Sequence, residues 1–137
     1  MKKLWIVVLV LLMGFTFAMA QEIHWADQAT GEWDEVTLYD DGEIIPAEYK
    51  PLSYRAWLAE WDGSARIAGT ENMVGETGEL FYTYTLADGI HDPGVQAVIY
   101  YGSYAATSTI EWGSEQVNPF LFGRARNPAA PGSFRPQ

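Results

Sequence analysis

Between residues 53 and 112 the chain alternates apolar and polar side chains in short runs, each closed by turn-forming residues. In Ser53-Tyr54-Arg55-Ala56-Trp57-Leu58-Ala59-Glu60-Trp61, an extended backbone puts Tyr54, Ala56 and Leu58 on one side. Trp57 and Trp61 then point the other way. Asp62-Gly63 follows, a dipeptide that accepts the positive φ of a tight turn. A weaker run covers residues 65–70. In residues 79–86, Leu80, Tyr82, Tyr84 and Leu86 oppose Phe81, Thr83 and Thr85, and Asp88-Gly89 ends the run. Residues 95–101 set Val95, Ala97 and Ile99 against Gln96, Val98 and Tyr100, and residues 107–112 put Ile110 and Trp112 on one side. Segments 22–26 and 29–34 are shorter and carry Trp25 and Trp33. Residues 36–48, with Asp40-Asp41-Gly42 and Pro46, read as an ordered loop. After residue 20 no window of helical length repeats apolar residues at spacings of three and four. The pattern predicts an all-β fold, an antiparallel sandwich of seven strands.

The two ends depart from this pattern. Residues 1–20 open with Lys2 and Lys3, continue as an apolar run broken only by Gly14 and Thr16, and close on Ala18-Met19-Ala20. This is the layout of a signal peptide, with cleavage expected between Ala20 and Gln21. The apolar run is shorter than the ~20 residues that a membrane span needs. The reading implies an exported bacterial protein, periplasmic or secreted, with no membrane attachment after cleavage. Residues 21–116 are assigned to the sandwich. Residues 117–137, with prolines and three arginines, are assigned to a C-terminal tail.

Export makes charge and cysteine content informative. There are no cysteines, so disulfides, thiolate metal sites and cysteine nucleophiles are excluded. Losing Lys2 and Lys3 leaves six basic residues against 18 acidic ones, a net charge of −12. All the acidic residues lie at or before Glu115, while Arg124, Arg126 and Arg135 lie beyond it. An acidic body is soluble and is repelled by nucleic acid, which is not an expected partner.

Several of these runs resemble the fibronectin type III superfamily, over roughly residues 29–114. Trp33-Asp34-Glu35-Val36-Thr37 is similar to the end of that family's second strand, and Asp41-Gly42-Glu43-Ile44-Ile45-Pro46 to the loop before its third. Ser53-Tyr54-Arg55-Ala56-Trp57 resembles the third strand, with Tyr54 at the usual aromatic place. Residues 82–89 resemble the strand and corner before the sixth, Val95-Gln96-Ala97-Val98 the sixth, and residues 108–114 the closing strand. Pro128-Ala129-Ala130-Pro131-Gly132 resembles an inter-module linker. The resemblance implies an immunoglobulin-like sandwich in which the third and sixth strands are neighbours. The family's tyrosine corner has no match: His91 stands where the tyrosine is expected, and a surface position is expected for it.

Chemistry is sparse. His24 and His91 are the only histidines, and no Gly-x-Ser-x-Gly elbow is present. The paired carboxylates Asp34/Glu35, Asp40/Asp41 and Asp88/Asp92 fall at expected turns, where they serve solvation and turn formation. Residues 39–43 are acidic but lack the spacing of a calcium loop. No catalytic residue, metal or cofactor is expected. The candidate ligand-binding residues are aromatic: Trp57, Trp61, Tyr100, Tyr101 and Tyr104, with the two tryptophans and Tyr100 expected on one outward patch. The reading is a non-catalytic binding or structural module for a protein partner. The alternative is a carbohydrate-binding sandwich that uses the aromatic patch.

Overall fold

In a computed structural model, residues 21–137 are described. Residues 1–20, where a signal peptide is expected, lie outside the described residues. The chain is mostly β, with nine strands: β1 (Glu22–Trp25), β2 (Gln28–Glu32), β3 (Ser53–Glu60), β4 (Asn72–Thr77), β5 (Phe81–Thr85), β6 (Gly89–Tyr101), β7 (Tyr104–Thr107), β8 (Glu111–Trp112) and β9 (Phe120–Arg124). Two single 3-10 turns, Ala47–Tyr49 and Gly113–Glu115, are the helical segments. Among the described residues no helix is long and apolar enough to cross a membrane.

Seven strands form one sheet in the order β1-β9-β6-β3-β4, with β7 and β8 also paired to β6; β2 and β5 form a second, two-stranded sheet. The pairs are antiparallel except β1 with β9, which is parallel. The strand count of seven is therefore corrected to nine, and the wholly antiparallel sheet to one with a parallel pair. The 13-residue β6 is the spine. One of its edges takes β3 from Ser53↔Val98 to Glu60↔His91; the other takes β9, β8 and β7 in turn.

The core lies where β2 and β5 face this sheet. Ala29 and Tyr84 meet Ala56, Leu86 and Phe122 in one buried cluster. A second cluster joins Ile45, Leu52 and Tyr54, with Trp33, Val95, Ala97 and Ile99 packed on it. Thus the predicted inward sets Tyr54/Ala56 and Val95/Ala97/Ile99 do share a face. Val98 is also buried, at a position in β6 that alternation assigns to the opposite face.

Four further expectations are corrected. The tail does not start at residue 117: β9 lies inside the large sheet, and Leu121 and Phe122 are buried. Their apolar side chains complete the core, so the unstructured, exposed tail begins after Arg124. Residues 65–70 form no strand, only the bridge Trp61↔Arg66. The strand partnering β3 is β4, which alternation did not mark. Finally, His91 is buried within β6 and its Nε2 lies 2.9 Å from the Ala87 carbonyl, rather than on the surface. A histidine whose ring reaches a backbone acceptor is satisfied without water.

Asp92 was also assigned to a turn, and it is fully buried in β6. Its Oδ2 accepts from Arg66 Nη1 at 3.1 Å and from the Ser114 hydroxyl, and its Oδ1 accepts from the Ser114 N–H at 2.9 Å. Arg66 in turn bonds Glu115 at 3.2 Å and lies 4.6 Å over the Trp112 ring. Three donors from two residues around one buried carboxylate tie the segment after β3 and the 3-10 turn after β8 to β6.

Candidate binding surface

The five aromatic residues singled out in the sequence do not form one patch. Trp57 is opposite Gly94 in the β3–β6 ladder, and the Trp61 N–H donates to the Ile90 carbonyl at 3.0 Å. Tyr100 is six residues from Gly94 and ten from Ile90 along β6. At about 3.3 Å per strand residue, the rings are separated by roughly 20 and 33 Å. Trp57 and Trp61 are also half-buried. The Trp57 indole N–H donates to Gln96 Oε1 at 3.2 Å, so its polar edge is already engaged. The expectation of one patch of Trp57, Trp61 and Tyr100 is corrected, because strand register sets the two tryptophans far from Tyr100 along the sheet.

Tyr101 and Tyr104 do come together, with residues outside the original set. β6 and β7 form a hairpin with Tyr101 opposite Tyr104. Gly102, at φ 64°, precedes Ser103 in the two-residue turn, a position that a side-chain-bearing residue occupies only with strain. The Tyr101 ring lies 5.1 Å from that of Tyr49. A hydrogen bond between Tyr39 and Tyr101 is the main cause that pushes the Tyr39 phenol up to about 12, with partial desolvation adding to it. Tyr104 is 69% exposed.

The loop carrying Tyr39 and Tyr49 is ordered, as predicted. Tyr39 and Glu43 close a small turn through Tyr39 N–H to the Glu43 carbonyl at 2.8 Å, and Asp41 Oδ1 accepts from the Glu43 N–H at 2.9 Å. Gly42 sits at φ 89° within it. Leu38 and Ile44 pair across this turn and both face outward, Ile44 at 75% exposure, while Ile45 is buried against Leu52 and Tyr54. The Val36 N–H donates to the Tyr54 hydroxyl at 3.0 Å, fixing the loop's entry. One end of the molecule therefore presents four tyrosines and two aliphatic side chains.

Tyr100 is held differently. Its hydroxyl donates to the Glu76 carboxylate at 2.7–2.8 Å, and Arg55 Nε reaches the same carboxylate at 2.9 Å. These two donors, Tyr100 first, hold Glu76 below the usual carboxylate range. Rings locked in this way lose little entropy when a partner lands on them.

Sequence reasoning missed Tyr39 and Tyr49 as site residues because their loop has no periodicity. The proximity of the loops that follow β2 and β6 is a product of topology alone. The histidines stay apart from this surface: His91 is internal, and His24 stands 3.8 Å from Glu22 on β1. Among the described residues no three His, Asp or Glu side chains are placed to hold a metal ion. No protein-family model, no curated protein and no solved structure matches the chain.

Proposed function

We propose that this protein is an exported, non-catalytic binding module, periplasmic or secreted, that recognises a protein partner through its tyrosine-rich end. The observation that carries the reading is the convergence of Tyr39, Tyr49, Tyr101 and Tyr104 on two hydrogen-bonded turns. Tyrosine offers large, rigid, amphipathic area at low entropic cost, which is why it dominates loop-built protein-binding surfaces. Outward Leu38 and Ile44 on the same loop supply the apolar portion that a contact centre needs.

An immunoglobulin-like sandwich of the fibronectin type III kind is the proposed fold. The neighbouring β3 and β6, the separate β2–β5 pair, and Trp33 packed 5.5 Å from Tyr54 support it. Such a scaffold brings the loop after its second strand and the hairpin after its sixth to one end. Export rests on the Lys-Lys start, apolar run and Ala-Met-Ala ending of residues 1–20.

Two measurements test this. Mass spectrometry of the protein from the envelope or medium is expected to find Gln21 at the N-terminus; a cytoplasmic chain retaining Met1 defeats the export reading. Tyr101→Ala combined with Tyr104→Ala is expected to abolish capture of the partner taken by the wild type, while circular dichroism stays native. Undiminished capture by that variant removes this surface from the binding role.

A further inference from the structure

A cleft of about 840 Å³ opens between the two sheets. Trp33, Tyr84, Phe81 and Phe120 line it, with Phe81 and Leu80 exposed at its rim. Its charged lining is Glu32, Asp34 and Glu111, and among the described residues no lysine or arginine lines it. Trp33 Nε1 is buried without a hydrogen-bond partner. The chemistry required of an occupant is specific: apolar surface for the rings, no negative charge of its own, and positive charge for the carboxylates.

The chain itself carries a segment with all three properties. Beyond β9, residues 125–137 run Ala-Arg-Asn-Pro-Ala-Ala-Pro-Gly-Ser-Phe-Arg-Pro-Gln without regular structure, and Phe134 is 99% exposed. Pro128-Ala129-Ala130-Pro131 has the spacing of a polyproline II ligand, which presents carbonyls outward and docks in aromatic-lined grooves. Arg126 and Arg135 flank it, and the tail holds no acidic residue. The body up to Gly123 has three basic and 18 acidic residues, a charge of −15. Charge complementarity thus pairs tail with cleft.

The tail does not leave β9 toward its own cleft. Phe120, at the start of β9, lines the cleft, whereas the tail departs from the other end, where Arg124 bonds the Leu86 carbonyl at 3.0 Å. We infer that the proline- and arginine-containing tail, residues 125–137, docks in the acidic aromatic cleft of a second copy of this chain. Arg126 and Arg135 pair with Glu32, Asp34 and Glu111, and the prolines and Phe134 lie against the cleft's rings. Such a contact joins two different surfaces, so it propagates head to tail.

Sedimentation velocity on the chain from Gln21 to Gln137 tests the inference. Average mass is expected to rise with concentration, and salt is expected to suppress the rise. Arg126→Glu with Arg135→Glu changes only exposed tail residues, and Glu32→Lys with Asp34→Lys only exposed cleft residues. Each pair is expected to weaken association at least about tenfold. Mixing the two variant proteins is expected to restore association between them, since a reversed tail then meets a reversed cleft. A chain that stays monomeric up to millimolar concentration overturns the inference, as does association indifferent to both charge reversals. The tyrosine-end reading is unaffected by either result, because neither variant touches it.

Discussion

Asp92 is the side chain whose surroundings are most demanding. A fully buried carboxylate is tolerated only when its lone pairs are satisfied and its charge is matched. Arg66 supplies the charge, and Ser114 supplies two further donors. Arg66→Ala leaves that charge uncompensated, and the expected loss is about 3–5 kcal/mol in urea unfolding. A loss below about 1 kcal/mol contradicts this account. Tyr84 is a milder case. Its buried hydroxyl donates to the Gly94 carbonyl at 2.7 Å, and burial raises the phenol above its usual value. Tyr84→Phe is expected to cost about 1–2 kcal/mol in the same measurement. Glu76 adds a pH dependence. Its folded pKa lies below the ordinary 4.5, because Tyr100 and Arg55 stabilise the carboxylate. That contribution is therefore present above the unfolded value and is lost as pH falls through the folded one. Tyr100→Phe removes the larger part of it. Wild type and variant should differ in unfolding free energy at pH 7 and converge toward pH 3; an undiminished difference in acid rules out this origin.

The elements differ in how openly the sequence announced them. β3, β5 and the second half of β6 were legible, since one face of each is buried and alternation follows directly. β4 was not. Asn72–Thr77 is an edge strand with Met73 and Val74 exposed, and an edge with little burial imposes no pattern. The first half of β6 was hidden by Gly89, Asp92, Pro93 and Gly94, which read as turn residues. Pro93 fits because it falls between the β9 register, ending at His91, and the β8 register, starting at Gly94; no neighbour there asks for its missing N–H. Gly94 fits because a Cβ there stands 2.7 Å from Ile110 and Trp112 atoms. β9 was concealed by its short length and the prolines after it. It is nonetheless integral: Phe122→Ala is expected to cost about 3–5 kcal/mol, measured by denaturant melt. A Phe122 variant as stable as wild type would return β9 to the tail. The tyrosine end was half legible, as Tyr100, Tyr101 and Tyr104 are consecutive or nearly so, whereas Tyr39 and Tyr49 join them only through the path of the loop.

For the whole molecule, the boundary between fold and tail falls at Arg124. Residues 125–137 contribute no strand, and the hydrogen bond of Arg135 there is to Ser133. Deleting residues 126–137 is therefore expected to leave the melting temperature within about 2 °C of the intact protein, whereas deleting from residue 120 abolishes cooperative melting. Equal effects from the two deletions would place the boundary elsewhere. The opposite signs of body and tail were visible in the sequence; the acidic cleft was not, since Glu32, Asp34 and Glu111 line one space only once the two sheets face each other.

The parallel pairing of β1 with β9 sets an order of events. The first described strand takes its ladder from β9, far along the chain, so Glu22–Trp25 has no backbone neighbour until β9 has been made. Until then the edge of β6 that β9 covers also stands open. A sheet whose first strand is fastened by its ninth is finished at the place where it began.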